Sequence, residues 1–134
     1  MITHLLDTNT VIELLARKSE KVAAKIMTRP SGSLALPTIV AHELYFGAHR
    51  SARVAFNLKA LRLFTGDVPV LDFDERDAIV SGELRALLAT EGTPIGPYDV
   101  LVAGQAKARG MTIVTNNVGE FQRVVGLRVE DWTR

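Results

Sequence analysis

Three features of the amino-acid order predict an α/β fold, with a parallel sheet covered by helices on both faces. Short apolar runs alternate along the chain with longer stretches of helical period. The 134 residues suit one domain, residues 1–134, and can bury a core without disulfides. Polar residues follow the apolar runs, where the carboxyl ends of parallel strands place ligand-binding groups.

Ile2–Leu6 has strand length and ends at Asp7. Thr10-Val11-Ile12-Glu13 then has the spacing of a capping box, with Asn9 an equal candidate for the cap. A second helix is predicted over Ser19–Thr28, broken at Pro30-Ser31-Gly32. Leu34–Leu36 reads as a strand stopped by Pro37, and Thr38 as the cap of the helix that carries Glu43. Ser51–Thr65 reads as a helix with Arg53, Lys59 and Arg62 in solvent, ended by Gly66. Val68–Leu71 is a third strand. Asp74 opens a helix reaching Thr90, with Ile79, Leu84, Leu87 and Leu88 expected on its buried face. The stiff segment Thr93–Pro97 leads into a helix over Tyr98–Arg109, since Pro suits a first turn and Gly110 a left-handed cap. Met111–Thr115 is β-branched and extended, and Asn117–Phe121 reads as a helical turn.

Composition narrows the chemistry. With no Cys, disulfides, thiolate zinc sites and Cys nucleophiles are excluded. The apolar runs are too short to cross a membrane as helices, and the first residues lack the order of a secretory signal, so a cytoplasmic location is expected. The balance of 16 Lys and Arg against 15 Asp and Glu lacks the basic excess common in nucleic-acid binders. An acidic pocket inside a basic rim gives the same sum.

Three acids stand out. Asp7 follows the first strand, and Asp99 lies in the first turn of a helix behind the Pro94–Pro97 loop. Glu43 sits among Ile39, Val40, Leu44, Tyr45 and Phe46, so an inward-pointing carboxylate there needs a partner. Asp7 and Asp99 also fit plain helix-start roles. If the three converge, two carboxylates ~4 Å apart repel by about 4 kcal/mol at an effective dielectric near 20, so the pocket takes up a proton or a cation. Oxygen donors without Cys favour Mg²⁺ or Mn²⁺, which can activate water and offset phosphoryl charge. Spacing alone leaves the metal-site and helix-cap readings both open.

At these residues the sequence resembles PIN-domain proteins, and more narrowly the VapC toxins of bacterial toxin–antitoxin pairs. The matching segments are Leu6-Asp7-Thr8-Asn9, Ala41–Ala48 around Glu43, Gly92–Asp99 and Val114–Phe121, with a similar tail at Gly126–Trp132. The resemblance implies a PIN-like parallel sheet of four or five strands flanked by helices. It implies Asp7 and Asp99 as Mg²⁺ ligands, with Glu43 joining them or orienting a water. The family's fourth acidic position falls on Asn117, which keeps an acceptor oxygen but no charge. Glu120 is placed to supply that charge, and Thr115 to bond a carboxylate or a water.

The implied activity is Mg²⁺-dependent endoribonuclease action on structured RNA such as tRNA or rRNA, by metal-activated water. The implied assembly is a homodimer held inactive by a VapB-type antitoxin in a hetero-oligomer, with no membrane partner. Arg17, Lys18, Lys21, His49, Arg50, Arg53 and Arg123 are the candidate grips on RNA, although most charge runs are solvated faces.

Other residues are better explained by packing. His4, His42 and His49 lack a metal-ligand spacing. His4 reads as a satisfied histidine, Trp132 as an anchor for the C-terminus, and Tyr98 as rim packing that could also stack on a base. No nucleophile elbow or phosphate loop is present. A haloacid-dehalogenase-like phosphatase would need Asp where Asn9 stands. A PIN fold that only binds RNA or protein is the remaining alternative, and three converging acids argue against it.

Overall fold

Among the residues that the computed structural model describes, 1–16 and 20–134, five short strands form one sheet. They are β1 (His4–Leu6), β2 (Leu34–Pro37), β3 (Val70–Leu71), β4 (Thr112–Val114) and β5 (Val129–Glu130), arranged β3-β2-β1-β4-β5. Every pairing is parallel, and the register sets Leu6 opposite Val114 and Val114 opposite Glu130. Leu5, Leu6, Leu34–Pro37 and Ile113–Val114 are buried, as strands covered on both faces should be. The two edge strands are only two residues long, which limits the unpaired backbone they expose.

The helices are α1 (Thr8–Leu15), α2 (Glu20–Thr28), α3 (Thr38–His49), α4 (Val54–Asp67), α5 (Glu75–Thr90), α6 (Pro97–Arg109) and α7 (Val118–Phe121). From β1 the chain steps outward to β2 and β3, then returns to the far side of β1 for β4 and β5. The reversal falls between β1 and β4. In an open parallel sheet the crevice outside the carboxyl ends of such a pair is the ligand site.

Several local expectations need correction. The predicted capping box at Thr10–Glu13 is absent: α1 starts at Thr8 with Asp7 at its N-cap. Thr10 is buried, and its hydroxyl donates to the Val114 carbonyl at 3.1 Å. A capping box forms instead at α5, where the Asp74 carboxylate accepts from the Asp77 N–H and the Asp77 carboxylate from the Asp74 N–H. Thr38 is not a cap; Pro37 holds that position, and the Thr38 hydroxyl donates to the Leu71 carbonyl at 2.9 Å, tying α3 to β3. Pro37 closes β2 from inside rather than stopping it short. Gly66 does not end α4, which runs on to Asp67. The start of α2 proposed at Ser19 lies outside the described residues.

The buried stripe of α5 also differs from the expected one. Leu84 and Leu88 are buried, but Ile79 and Leu87 are exposed, and Asp77 and Ser81 complete the inner face. That face meets α6. A Cβ on Gly104 would lie 2.4 Å from the Ser81 Cβ and 2.6 Å from its Cα, so the helices approach more closely than any larger residue allows. Asp77 is fully buried and pairs with Arg109, whose Nη2 lies 2.8 Å from Oδ2. Burial of Asp77 is possible because this partner and the capping N–H share its charge. Hydrophobic periodicity cannot report a helix contact built on Gly, Ser and an ion pair.

At the other edge, Trp132 is buried and donates its indole N–H to Glu130 at 2.9 Å. His4 stands 3.3 Å from the same carboxylate and 5.7 Å from the Trp132 ring. Both residues therefore take the packing roles expected of them.

Candidate functional site

The crevice between β1 and β4 places Asp7 beside Thr115. Asp7 is 4% exposed, and its N–H donates to the Val114 carbonyl at 2.9 Å. Although it occupies the N-cap position of α1, its side chain makes no cap bond. The carboxylate instead accepts the Thr115 hydroxyl at 2.8 Å. Thr115 is fully buried, and its Oγ1 also accepts the Asn117 N–H at 3.0 Å, which fixes the hydroxyl's aim. Burial pushes the Asp7 carboxyl above its ordinary range; the Thr115 hydroxyl and Thr8 amide oppose this, and Glu120 adds to it.

Glu43 comes from α3, half-buried, with Oε1 accepting the Thr8 hydroxyl at 3.0 Å. Its carboxyl is also pushed up, first by burial and then by Asp7, while His42 draws it down. Neighbouring residues in the motif thus divide the work: Asp7 points into the crevice while Thr8 aims Glu43.

Asp99 sits in the first turn of α6, which begins with Pro97. Its carboxyl is pushed up to about 7 by burial, by Asp7 and Glu120, by a hydrogen bond with Glu120, and by Glu43. Glu120 on α7 completes the group. Burial raises it, but the Gly96 N–H, the Asn117 amide, the Asp99 hydrogen bond and Arg123 outweigh that and hold it below the ordinary range. Asn117 Nδ2 donates to Glu120 Oε2 at 2.7 Å, and the Gly96 N–H donates to Oε1. The proton shared by the pair therefore rests on Asp99. A Cβ on Gly96 would come within 3.1 Å of Asp99 Oδ2 and 3.3 Å of Glu120 Oε1, so this glycine lets the two acids close on the loop.

Four carboxyls are thus coupled across one crevice, and among the described residues no Lys or Arg forms an ion pair with Asp7, Glu43 or Asp99. Among the described residues, no three His, Asp or Glu side chains are grouped so that together they could hold a metal ion. The donor chemistry nonetheless fits a hard divalent ion, which binds through one or two carboxylates and keeps several waters. Without a cation the cluster must hold a proton, and stability then depends on pH. An Asp99 that keeps its proton to about 7 when folded but loses it near 3.8 when unfolded binds more protons in the native state across that window. Stability present below the window is lost as pH rises through it. In chelator we expect the Tm to fall by roughly 3 °C between about pH 5 and about pH 8, after discounting for a half-exposed carboxyl. Thermal melts of wild type and Asp99→Asn check this; an equal pH slope in both proteins would contradict it.

The three acids singled out from sequence lie near enough for Asp7 to raise the carboxyls of both Glu43 and Asp99. Asn117 joins this group through its amide Nδ2, which donates to Glu120 Oε2 at 2.7 Å. Glu120, read from the sequence as a source of the charge that Asn117 lacks, belongs in the cluster; so does the hydroxyl of Thr8, a member of the Leu6-Asp7-Thr8-Asn9 segment whose role went unread. Among the proposed basic grips, Arg123 donates to the Pro94 carbonyl at 2.8 Å and secures the loop ahead of Asp99. Arg50 and Arg53 lie over the rings of Phe46 and Phe56. Lys21 and His49 are exposed, and Arg17 and Lys18 lie outside the described residues. Beside Glu43 an apolar cleft of about 370 Å³ opens between α1, α3 and α4, lined by Ile12, Leu15, Leu44, Phe56 and Leu61 among others.

Comparisons with known proteins agree with this fold. Residues 4–127 match the model of the PIN domain. The chain is 41% identical over 132 residues to the tRNA(fMet)-specific endonuclease VapC of Salmonella typhimurium, covering 98% of this chain and 99% of that one. It is 32% identical to a ribonuclease VapC of Haemophilus influenzae, covering 98% and 99%. Its structure resembles that of DNA-bound VapBC from Salmonella typhimurium, with a TM-score of 0.94, 40% identity and coverage of 98% and 99%. A second resemblance is to VapBC-1 from nontypeable Haemophilus influenzae, with a TM-score of 0.90, 32% identity and full coverage of both chains.

Proposed function

The chain belongs to the PIN-domain family, and from that premise we propose that it is a VapC-type toxin, an endoribonuclease that uses Mg²⁺ to cut a structured RNA. The observation that carries this reading is the buried Asp7, uncapped and without a cationic partner among the described residues, electrostatically joined to Glu43, Asp99 and Glu120. A binding module has no use for that repulsion; a site for a divalent cation and a phosphodiester does.

Asp7 and Asp99 would hold the ion, with Glu43 beside them. When bound, Mg²⁺ activates the attacking water and offsets charge on the phosphoryl oxygens. The protein's own share is orientation. Thr115 locks the Asp7 carboxylate, Thr8 locks Glu43, and Gly96 with Asn117 locks Glu120, so none must reorganise as charge develops. Asp99, the acid of the pair that holds the proton, would lose it to solvent on taking a cation, so affinity would rise with pH.

The relatives named for tRNA(fMet) make that tRNA the first substrate to test. A transcript of it should be cut in Mg²⁺ and left intact in chelator. Sequencing the new 5′ ends would identify the cut; wild-type protein that cuts no RNA in Mg²⁺ or Mn²⁺ would return the reading to a binding module. The VapBC neighbours point to an antitoxin partner and a toxin–antitoxin assembly. The apolar cleft beside Glu43 suits a helix with an apolar stripe from such a partner.

A further inference from the structure

Each of two acids in the cluster is preceded in sequence by a ring, His42 before Glu43 and Tyr98 before Asp99. The two rings meet across α3 and α6, with centroids 5.7 Å apart and planes at 81°. Edge-to-face contact of this kind is a favoured aromatic geometry, and it fixes the Tyr98 ring without covering it. Tyr98 stays 45% exposed, and among the described residues its hydroxyl makes no hydrogen bond. A large ring held at its edge, open to solvent and without a use for its polar tip contributes little to the fold. It stands at the N-terminal turn of α6, one residue from a proposed ligand of the ion.

We propose that Tyr98, braced by His42, is a stacking platform for an unpaired nucleobase next to the scissile phosphate. The inference rests on the ribonuclease reading and adds to it how the nucleotide is held. Four carboxyls repel a phosphate and compete for any lysine or arginine brought beside them. A neutral π-face gives affinity at that spot without neutralising the acids or displacing the cation. Single-stranded RNA is recognised largely by bases splayed onto aromatic rings, and such stacking tolerates many base identities. Tyr98 is therefore a substrate-contacting residue and His42 a positioning residue for it. A partner protein's side chain is the competing occupant.

The test uses full-length protein and a fluorescein-labelled tRNA(fMet) transcript. Affinity is measured in chelator, and KM and kcat in Mg²⁺. Tyr98→Ala should weaken binding in chelator and raise KM by about tenfold, with a smaller change in kcat and an unchanged Mg²⁺ midpoint. Tyr98→Phe should behave as wild type, and Tyr98→Leu, which keeps bulk but not the π-face, should resemble Ala. His42→Ala should show a weaker form of the same KM effect, restored by His42→Phe. The proposal is overturned if Tyr98→Ala binds RNA like wild type, if Phe is as impaired as Ala, or if Tyr98→Ala weakens only antitoxin binding. Because affinity is read without metal, a wild type that binds RNA but never cuts it would defeat the ribonuclease reading while leaving the platform measurable.

Discussion

Asp7→Asn should lower RNA cleavage by on the order of 10³-fold in kcat/KM while the protein stays folded. The substitution is nearly isosteric, and the Asn oxygen can still accept the Thr115 hydroxyl that now reaches Oδ2. What is lost is a charge, in a position only 4% exposed where no water can substitute for it. The same change removes one source of the repulsion that raises Glu43 and Asp99. In chelator Asp7→Asn should therefore melt no lower than wild type, and above it at about pH 8. An activity loss accompanied by a large fall in Tm would make Asp7 a structural cap instead.

Gly104→Ala should destabilise the fold by about 3 kcal/mol, a Tm loss of roughly 10 °C, through a single added methyl. The new Cβ would stand 2.4 Å from the Ser81 Cβ, 2.6 Å from its Cα and 2.9 Å from its backbone N. Only one of these atoms belongs to a side chain, so a rotamer change cannot relieve the contact and α5 must move from α6. Asp99 rides on α6 five residues earlier, and cleavage should fall with stability. Ser81→Gly in the same chain removes the nearest atom but not the backbone ones, and should rescue only part of the loss. A Gly104→Ala protein melting within about 2 °C of wild type would show that the helices are not held this closely.

Strand positions were legible because parallel strands buried on both faces must be apolar runs, as in Leu5–Leu6, Leu34–Leu36 and Ile113–Val114. The helix ends at Pro97 and Gly110 were legible because Pro and Gly have few other uses there. The cap at Thr10 and the apolar face through Ile79 and Leu87 were misread for one reason: each polar or small residue had a long-range partner. Thr10 serves the Val114 carbonyl, Asp77 serves Arg109, and Ser81 serves Gly104. The site shows the same division. Asp7, Glu43 and Asp99 were visible as acids where acids need explaining. The roles of Thr8, which aims Glu43, and of Gly96 and Asn117, which aim Glu120, depend on contacts that no local pattern encodes. Glu120 was visible as a charge, but its place in the cluster follows from the hydrogen bonds of Gly96 and Asn117.

The most direct test is a crystal soaked in Mn²⁺ and recorded at a wavelength where manganese scatters anomalously. An anomalous peak within about 2.2 Å of carboxylate oxygens of Asp7 and Asp99, absent from Asp7→Asn crystals, is the expected result. A protein that cuts RNA in Mn²⁺ yet shows no peak between those residues, or binds the ion elsewhere, would contradict the account.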